Sequence, residues 1–305
     1  MPIVECVNCR LNLKDFIVKR ILIIRSLMVS LTLLLTLTLN AQKNFGGLAL
    51  YTVRDDMAID ARKTLTAVAD AGYAYIEAAE YKEGKFFGLS PQEFKAILND
   101  VGLKPISTHQ GDLTYDNVDQ MIADVKEVGF KYFVLPVPPM DRYTEDDDGI
   151  RTMSDEDVKF TTDLINKVAK KCNAAGLELL YHNHEFEFQK TEKGIVPIEY
   201  FLENTDPKMV NFEMDLYWVT KAGADPVAYF EKYPGRFKLW HVKDMDTEGK
   251  FAPVGEGTID FGRILKEKKT SGMKYYFVEQ DDSWDKAPLE VIKISHEGIK
   301  KFGFK

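Results

Sequence analysis

The chain has 305 residues, of which 45% are hydrophobic and 12% aromatic, and its formal net charge is −8. This composition indicates a globular protein with a large core, built as one large domain or two small ones, and it argues against disorder. The acidic charge and the lack of a basic patch in the sequence argue against nucleic acid as a partner.

Residues 1–41 differ from the rest of the chain. Five basic residues precede the apolar run SLMVSLTLLLTLTL (26–39), and Ala41 follows shortly after it. A basic stretch, a short apolar core and a small residue are the parts of a secretion signal. The apolar run is shorter than the ~20 residues of a membrane span, and an uncleaved anchor is the alternative. We therefore predict a leader over 1–41, cleavage after Ala41, a periplasmic or secreted protein and no membrane attachment after signal removal.

Removal of this leader changes the charge and the cysteine content. Five basic and two acidic residues leave, so residues 42–305 carry 35 basic against 46 acidic side chains, a formal charge of −11. Cys6 and Cys9 leave as well, and Cys172 remains as a single cysteine. A single cysteine forms no internal disulfide, so the core has to be stable without one.

The remaining chain alternates between two patterns. Strand-like runs rich in β-forming residues occupy 45–53, 73–80, 103–111, 131–139, 177–186, 209–219, 236–245 and 274–284. Helix-like runs occupy 58–71, 90–101, 117–128, 155–175, 197–203, 225–233, 261–268 and 289–301. Such alternation predicts a parallel sheet, and eight units fit a (β/α)8 TIM barrel of ~250 residues. A doubly wound sheet would need a Gly-rich loop after the first strand, but residues 51–57 read YTVRDDM. We predict a single-domain α/β TIM barrel over 42–305.

Polar residues concentrate at the carboxyl ends of the predicted strands, where a TIM barrel forms its active site. Four of the five histidines lie there. In chain order these ends carry Glu77, Glu80, His109, His182, His184, Glu185, Asp215, His241, Lys243 and Glu279. A single strand-end histidine or aspartate is most often a hydrogen-bonded loop residue, but a recurrence on several adjacent strands points to a shared site.

The alternation of side chains narrows the choice of metal ligands. The outer face of a barrel strand meets apolar helices, so its polar face points inward. By this rule four side chains from adjacent strands converge: His182, Asp215, His241 and Glu279. A mixed set of nitrogen and oxygen donors suits Mn²⁺, Zn²⁺, Co²⁺ or Fe²⁺ better than Ca²⁺. Buried carboxylates are costly when unpaired, and we therefore predict one divalent metal ion as cofactor.

Over about residues 45–305 the chain resembles the xylose isomerase-like TIM barrels known as sugar phosphate isomerases/epimerases. Relatives in this superfamily are tagatose/psicose 3-epimerases, inosose dehydratase and endonuclease IV. The resemblance rests on YHNHEFEF (181–188), FEMDLYWV (212–219), LWHVKDM (239–245), VGEGTIDF (254–261) and YFVEQDDSW (276–284). In the family, strand ends supply Glu, Asp, His and Glu to one divalent metal. Asp215, His241 and Glu279 match these positions, whereas His182 stands where the family often has Glu, and Glu185 could serve in its place.

The resemblance implies a metal-dependent sugar isomerase/epimerase that removes a proton next to a carbonyl to form an enediolate. Phosphosugars are scarce outside the cytoplasm, so the predicted export favours a non-phosphorylated sugar or keto sugar as the small-molecule partner. The candidate catalytic residues are Glu279, Lys243, Glu185 and His182. The candidate substrate-binding residues are His109, His184, Glu80 and Trp218. A tryptophan at this place could stack on a sugar ring.

Two other interpretations are kept. The HVKD segment is similar to the inosose dehydratase branch, so a lyase or dehydratase acting on 3-keto-glycosides or inososes is the runner-up; it would share the enediolate. A metal-free sugar-binding barrel is the alternative of another class. An assembly of identical chains is possible with either.

Overall fold

The fold is built on a closed ring of eight parallel β-strands. The computed structural model describes residues 44–147, 149–283 and 285–305. The barrel strands are β1 (Gly47–Ala49), β2 (Tyr75–Ala78), β3 (Lys104–His109), β4 (Tyr132–Leu135), β5 (Glu178–His182), β6 (Val210–Asp215), β7 (Phe237–Val242) and β8 (Tyr275–Val278). Each strand pairs with its neighbour in the chain, and β1 pairs with β8. This ring confirms the predicted (β/α)8 barrel.

Helices follow the strands, as the sequence pattern predicts. They are α1 (Arg54–Asp70), α2 (Pro91–Val101), α3 (Val118–Val128), α4 (Asp155–Ala175), α5 (Pro197–Glu203), α6 (Leu216–Lys221), α7 (Pro226–Lys232), α8 (Phe261–Lys266), α9 (Lys268–Ser271) and α10 (Pro288–Phe302). Local chemistry sets their ends. Ser90 and Glu93 form a reciprocal capping box at the start of α2, and Gly102 ends it with a left-handed backbone.

Short irregular elements lie between strands and helices. Two 3-10 turns cover Leu50–Val53 and Phe186–Phe188. Small antiparallel hairpins pair Tyr81–Lys82 with Lys85–Phe86, Thr144–Glu145 with Arg151–Thr152, and Asp244–Met245 with Phe251–Ala252. These loops extend from the carboxyl ends of β2, β4 and β7, and the second contributes residues to the pocket described below.

Two predicted boundaries differ from the structure for a local reason. The strand-like run 209–219 ends at Asp215, because the Asp215 side chain accepts the N–H groups of Tyr217 and Trp218 at 2.9 Å each and starts α6. Helix α1 begins at Arg54, before the predicted 58–71, and bends at Asp60, where φ is −156° and ψ is 92°. The Asp60 side chain accepts the N–H of Lys63 at 3.0 Å, which restarts the helix.

The barrel interior has an apolar layer separate from the larger core between strands and helices. The layer consists of Ala49, Ile106, Tyr132, Val134, Leu180, Leu239 and Phe277. Gly47 on β1 lets the rings of Tyr75 and Phe277 approach, because a Cβ there would collide with both. This layer supports the carboxyl ends of the strands from beneath.

The predicted leader (1–41) and its cleavage point lie outside the described residues. Export to the periplasm or beyond therefore stays a prediction. Within the described ranges, none of the helices is both long enough and apolar enough to cross a membrane.

Candidate active site

A pocket of about 410 Å³ opens at the carboxyl ends of the barrel strands. Its size falls in the range of roughly 300–1,000 Å³ that is usual for small-molecule sites. Its lining includes the ionisable or indole side chains of His109, Arg151, His182, His184, Glu185, Trp218, Lys243, Glu279 and Asp281. Most of the predicted site residues thus share one cavity. Three of them do not line it: Asp215 and His241 are fully buried, and Glu80, on the segment after β2, is half-buried.

Of the predicted metal ligands, His182 and Glu279 line this pocket, and Asp215 and His241 lie fully buried behind them. The Nδ1 atom of His241 is 2.8 Å from Glu279 Oε2 and 3.8 Å from Asp215 Oδ2. Donor atoms of these three residues all lie within 4.8 Å of one another. His182 Nε2 lies 3.9 Å from Asp215 Oδ2, so the fourth predicted ligand is adjacent. The structure brings the four side chains together, and their role as ligands stays a prediction.

Two fully buried glutamates lie beneath them, and neither is in the predicted set. Glu213 Oε2 is 2.9 Å from His109 Nε2, 3.2 Å from His182 Nδ1 and 3.3 Å from His241 Nε2. Glu77 Oε1 is 2.6 Å from His241 Nε2 and 3.0 Å from His109 Nε2. Strand alternation already places Glu213 on the inward face with Asp215, so a signal for it was present in the sequence.

Lys243 supplies a positive charge at the pocket floor. Its Nζ lies 3.0 Å from Asp215 Oδ2, 2.7 Å from Glu279 Oε2 and 2.7 Å from Asp281 Oδ1. Burial opposes this charge, but the neighbouring carboxylates outweigh it and raise the lysine pKa well above its ordinary value. Burial also raises the pKa of Asp281 to about 6. The resting ammonium therefore competes with any metal for Asp215 and Glu279.

Three histidines of the site, His241, His109 and His182, differ in the direction of their pKa shifts. Burial disfavours protonation of His241, but Glu213, Glu279 and Glu77 raise its pKa well above the ordinary value. At His109 burial likewise opposes the charge, and chiefly Glu77 raises the pKa to about 10. Burial, together with the positive charge at His241, lowers the pKa of His182 well below the ordinary value. His182 is therefore the neutral imidazole, with a lone pair free for a metal or a proton.

The donor set fits a divalent cation. Glu77 Oε2 and Glu213 Oε1 are buried and have no hydrogen-bond partner among the described residues. Unsatisfied buried carboxylate oxygens are costly, and a bound cation is one way to satisfy them. Imidazole nitrogens and carboxylate oxygens in one cluster match the donor preference of Zn²⁺, Mn²⁺, Co²⁺ or Fe²⁺.

The side wall of the pocket carries predicted substrate-binding residues. The rings of His184 and Trp218 lie 5.5 Å apart, and the buried atoms Trp218 Nε1 and His184 Nδ1 have no hydrogen-bond partner in the part of the chain that the structure describes. Such atoms are ready to bond to a hydroxylated ligand. From the hairpin after β4, Arg151 also reaches the pocket and pairs with Glu145 at 2.8 Å. Loop conformation places Arg151 there, and strand periodicity carries no signal for it.

The loop after β7 wraps around an internal carboxylate. Asp244 accepts the N–H groups of Met245, Gly255, Gly257 and Ile259 at 2.9–3.2 Å. A Cβ at Gly257 would collide with the Asp244 carboxylate, so glycine permits this close approach. TIM barrels frequently bind phosphate through the loops after strands seven and eight. In this chain the N–H donors of the first of those loops bind its own aspartate.

Comparison with known proteins assigns the chain to a family with this barrel fold. Residues 65–301 match the xylose isomerase-like TIM barrel family, and the chain belongs to that family. Members include sugar isomerases/epimerases and inosose dehydratases, so the site described above is that of an enzyme family acting on small sugars.

Individual relatives differ in activity. A sugar phosphate isomerase/epimerase from Parabacteroides distasonis has 28% identity and a TM-score of 0.73, with 87% of this chain and 96% of that chain covered. An inosose dehydratase from Geobacillus kaustophilus is 24% identical over 275 residues, or 78% of this chain and 86% of the relative. The IOLI protein, whose crystal structure holds a zinc atom, shares the fold at 14% identity and a TM-score of 0.61, with 84% and 96% covered.

Proposed function

We propose that the chain is a metal-dependent isomerase or epimerase that moves a proton next to the carbonyl of a free sugar or keto sugar. The observation that carries this proposal is the meeting of Asp215, His241 and Glu279 with Lys243 beneath a sugar-sized pocket, which Glu279 and Lys243 line. Such an arrangement combines a cation-binding donor set with groups that can hold protons.

The metal would be held by His182, Asp215, His241 and Glu279. When bound, it supplies positive charge for the negative charge that develops on a carbonyl oxygen as the neighbouring carbon loses its proton. The distant IOLI protein shares this fold and holds a zinc atom, which supports metal binding by the chain.

The protein's own residues handle the proton. In our proposal the Glu279 carboxylate takes this proton from carbon, and the Lys243 ammonium gives a proton to the resulting intermediate. The proton on Glu279 then passes to the Lys243 amine, 2.7 Å away, which restores both groups. General acid–base catalysis of this kind contributes typically 10²–10⁴-fold. Trp218 and His184 orient the sugar ring. They do so by stacking and through hydrogen bonds of Trp218 Nε1–H and His184 Nδ1. Glu185, at the pocket wall, is the alternative base.

The substrate is proposed to carry no phosphate. Three arguments support this. The first is the Asp244 loop, whose N–H groups already bind a carboxylate. The second is the predicted export, since phosphosugars are scarce outside the cytoplasm. Three acidic groups in the pocket lining, Glu185, Glu279 and Asp281, also disfavour a dianionic ligand.

A lyase or dehydratase of 3-keto-glycosides or inososes is the second candidate. It is favoured by the inosose dehydratase relative and by the buried Lys243 ammonium, which can protonate a leaving hydroxyl or glycoside oxygen. Both candidates begin with the same proton removal. The lyase then expels a hydroxyl or glycoside oxygen, whereas the isomerase or epimerase returns a proton to carbon.

The proposal is tested by measuring deuterium incorporation into the substrate. Metal-loaded protein is incubated in D₂O with a panel of free keto sugars, inososes and 3-keto-glycosides. We expect deuterium at the carbon next to the carbonyl, abolished by a chelator and by Glu279→Gln but not by the exposed surface variant Glu248→Gln. The product mass then separates isomerisation from elimination. Sugar binding with no exchange for any substrate would overturn the proposal in favour of a metal-free sugar-binding barrel.

A further inference from the structure

A second cavity opens at the opposite end of the barrel from the candidate active site. It has a volume of about 490 Å³, and residues at or just before the amino ends of β1, β2, β3, β4 and β8 line it. We call it the basal cavity; its lining includes Phe45, Tyr75, Lys104, Pro105, Lys131 and Tyr275. The volume is within the roughly 300–1,000 Å³ that is usual for small-molecule sites.

The basal cavity is separate from the active-site pocket. The apolar layer inside the barrel lies between the two, and Ile106 belongs both to that layer and to the lining of the basal cavity. Tyr75 and Tyr275 pack against the same layer. A ligand in the basal cavity would therefore not reach the candidate active site.

The walls of the basal cavity are rich in aromatic side chains. Tyr75 and Tyr275 contact each other edge-to-face, with ring centroids 5.3 Å apart. Phe45 and Pro105 add further apolar surface. Phe45 and both tyrosines are only half-buried, so part of their surface remains accessible to a ligand. Ring surfaces of this kind favour a ligand with an aromatic body.

The charged side chains of the lining are positive. Lys104, Lys131 and Lys305 belong to it, and among the described residues no aspartate or glutamate does. Lys305 is the last residue and carries a carboxylate beside its ammonium, so the net charge comes from Lys104 and Lys131. The Lys131 ammonium donates to the Tyr275 hydroxyl at 2.9 Å, which holds it at the cavity wall. Lys104 makes no ion pair with any residue of the described ranges.

The acidic side chain at the start of β5 does not neutralise these lysines, because it has other partners. Lys238 Nζ and Asn211 Nδ2 donate to Oε1 of Glu178 at 2.7 Å and 2.6 Å. The chain as a whole is acidic, with a formal charge of −8, and three acidic groups line the active-site pocket. Positive charge gathered around one cavity of an acidic protein raises the local concentration of anions.

We propose that the basal cavity binds a small organic anion with an aromatic body, of the class of aromatic carboxylates and sulfonates. The ring would pack against Tyr75 and Tyr275, and the anionic group would lie between Lys104 and Lys131. The lysines alone would accept any small anion, whereas the aromatic walls select for the ring. This site is independent of the proposed reaction.

Isothermal titration calorimetry of the full chain with 2-naphthoate tests the inference. We expect saturable binding that weakens as the salt concentration rises, because the two lysines are exposed. The double variant Lys104→Gln/Lys131→Gln should bind about 10-fold more weakly, since each exposed charge pair contributes up to roughly fivefold in affinity. The matched double variant Lys63→Gln/Lys126→Gln removes two exposed lysines elsewhere and should bind like the wild type.

A neutral isostere tests the need for charge. 2-Naphthylmethanol keeps the ring and should bind the wild type about 10-fold more weakly than 2-naphthoate. Equal affinity for the two compounds would overturn the inference.

Three further outcomes also count against it. They are no saturable binding of 2-naphthoate, binding that Lys104→Gln/Lys131→Gln leaves unchanged, and binding that Arg151→Gln abolishes, which would place the ligand in the active-site pocket. Circular dichroism like that of the wild type shows that each variant is folded. None of these outcomes affects the deuterium exchange that tests the proposed function.

Discussion

The two layers inside the barrel contrast sharply although the same strands build them. The apolar layer holds residues such as Leu180, Leu239 and Phe277, and the charged layer lies on the next inward position toward the carboxyl ends. On three strands the two are two residues apart: Leu180 and His182, Leu239 and His241, Phe277 and Glu279. On each of these strands, one inward-facing position therefore separates the packed apolar layer from a cluster of ionisable groups.

This contrast indicates that the apolar layer provides stability and the charged layer provides the chemistry. The apolar layer gains free energy from removing its side chains from water. The charged layer brings carboxylates and imidazoles into a buried place at a desolvation cost that pairing only partly offsets. We therefore expect substitutions in the apolar layer to change mainly the free energy of unfolding, and substitutions in the charged layer to change mainly activity.

The largest effect on stability is expected for Phe277→Ala. Phe277 is fully buried in the apolar layer and packs edge-on against Tyr75, with ring centroids 5.5 Å apart. Truncation leaves a cavity and should lower the free energy of unfolding by about 3–5 kcal/mol. Guanidinium unfolding measures it, with the exposed Ile59→Ala as a control that should change little. A loss below about 1 kcal/mol would mean that the layer can collapse and contributes little as a plug.

The same contrast explains what the sequence can predict. Period-two alternation and the strand–helix order predict the barrel and the inward faces, and they predict correctly that Asp215, His241 and Glu279 meet. They carry no information on which side chains meet across the barrel, so the contacts of Glu77 and Glu213 with His109 were missed. Helix α6 was missed because the capping bond that starts it depends on the side-chain geometry of Asp215.

A carboxyl group outside both layers, that of Glu187, is expected to have an intermediate and pH-dependent effect on the free energy of unfolding. Glu187 is fully buried beside the site; the Tyr181 hydroxyl donates to its Oε1 at 2.6 Å and the His184 N–H to its Oε2 at 2.8 Å. Burial raises its pKa from 4.5 to about 7. Between these values the folded state binds more protons than the unfolded state, so this group stabilises less as pH rises.

We expect this loss to reach about 3 kcal/mol by pH 7 and above. The variant Glu187→Gln lacks the titration, so the unfolding free energies of wild type and variant should diverge between pH 4.5 and 7, the wild type falling relative to the variant. Denaturant unfolding at several pH values measures the difference. A constant offset between the two proteins across this range would show that Glu187 does not titrate there.

The smallest effect on stability is expected for Asp215→Asn, although it lies in the charged layer and is fully buried. Asparagine keeps the oxygen that accepts the N–H groups of Tyr217 and Trp218, so the start of α6 is preserved. Lys243 keeps its ion pairs with Glu279 and Asp281. The free energy of unfolding without metal should therefore change by less than about 1 kcal/mol, since one of several crowded carboxylates is neutralised.

Turnover should nevertheless fall by about 10²–10⁴-fold, because the variant loses a charged metal ligand and not a packing contact. Deuterium exchange into the substrate and unfolding in chelator, measured on the same preparation, test both halves. If Asp215→Asn instead unfolds as readily as Phe277→Ala, the charged layer also holds the barrel together, and the separation of stability from chemistry along the strands fails. If it keeps full turnover, Asp215 is only a helix cap, and the cluster of Asp215, His241 and Glu279 is not where the carbonyl is polarised.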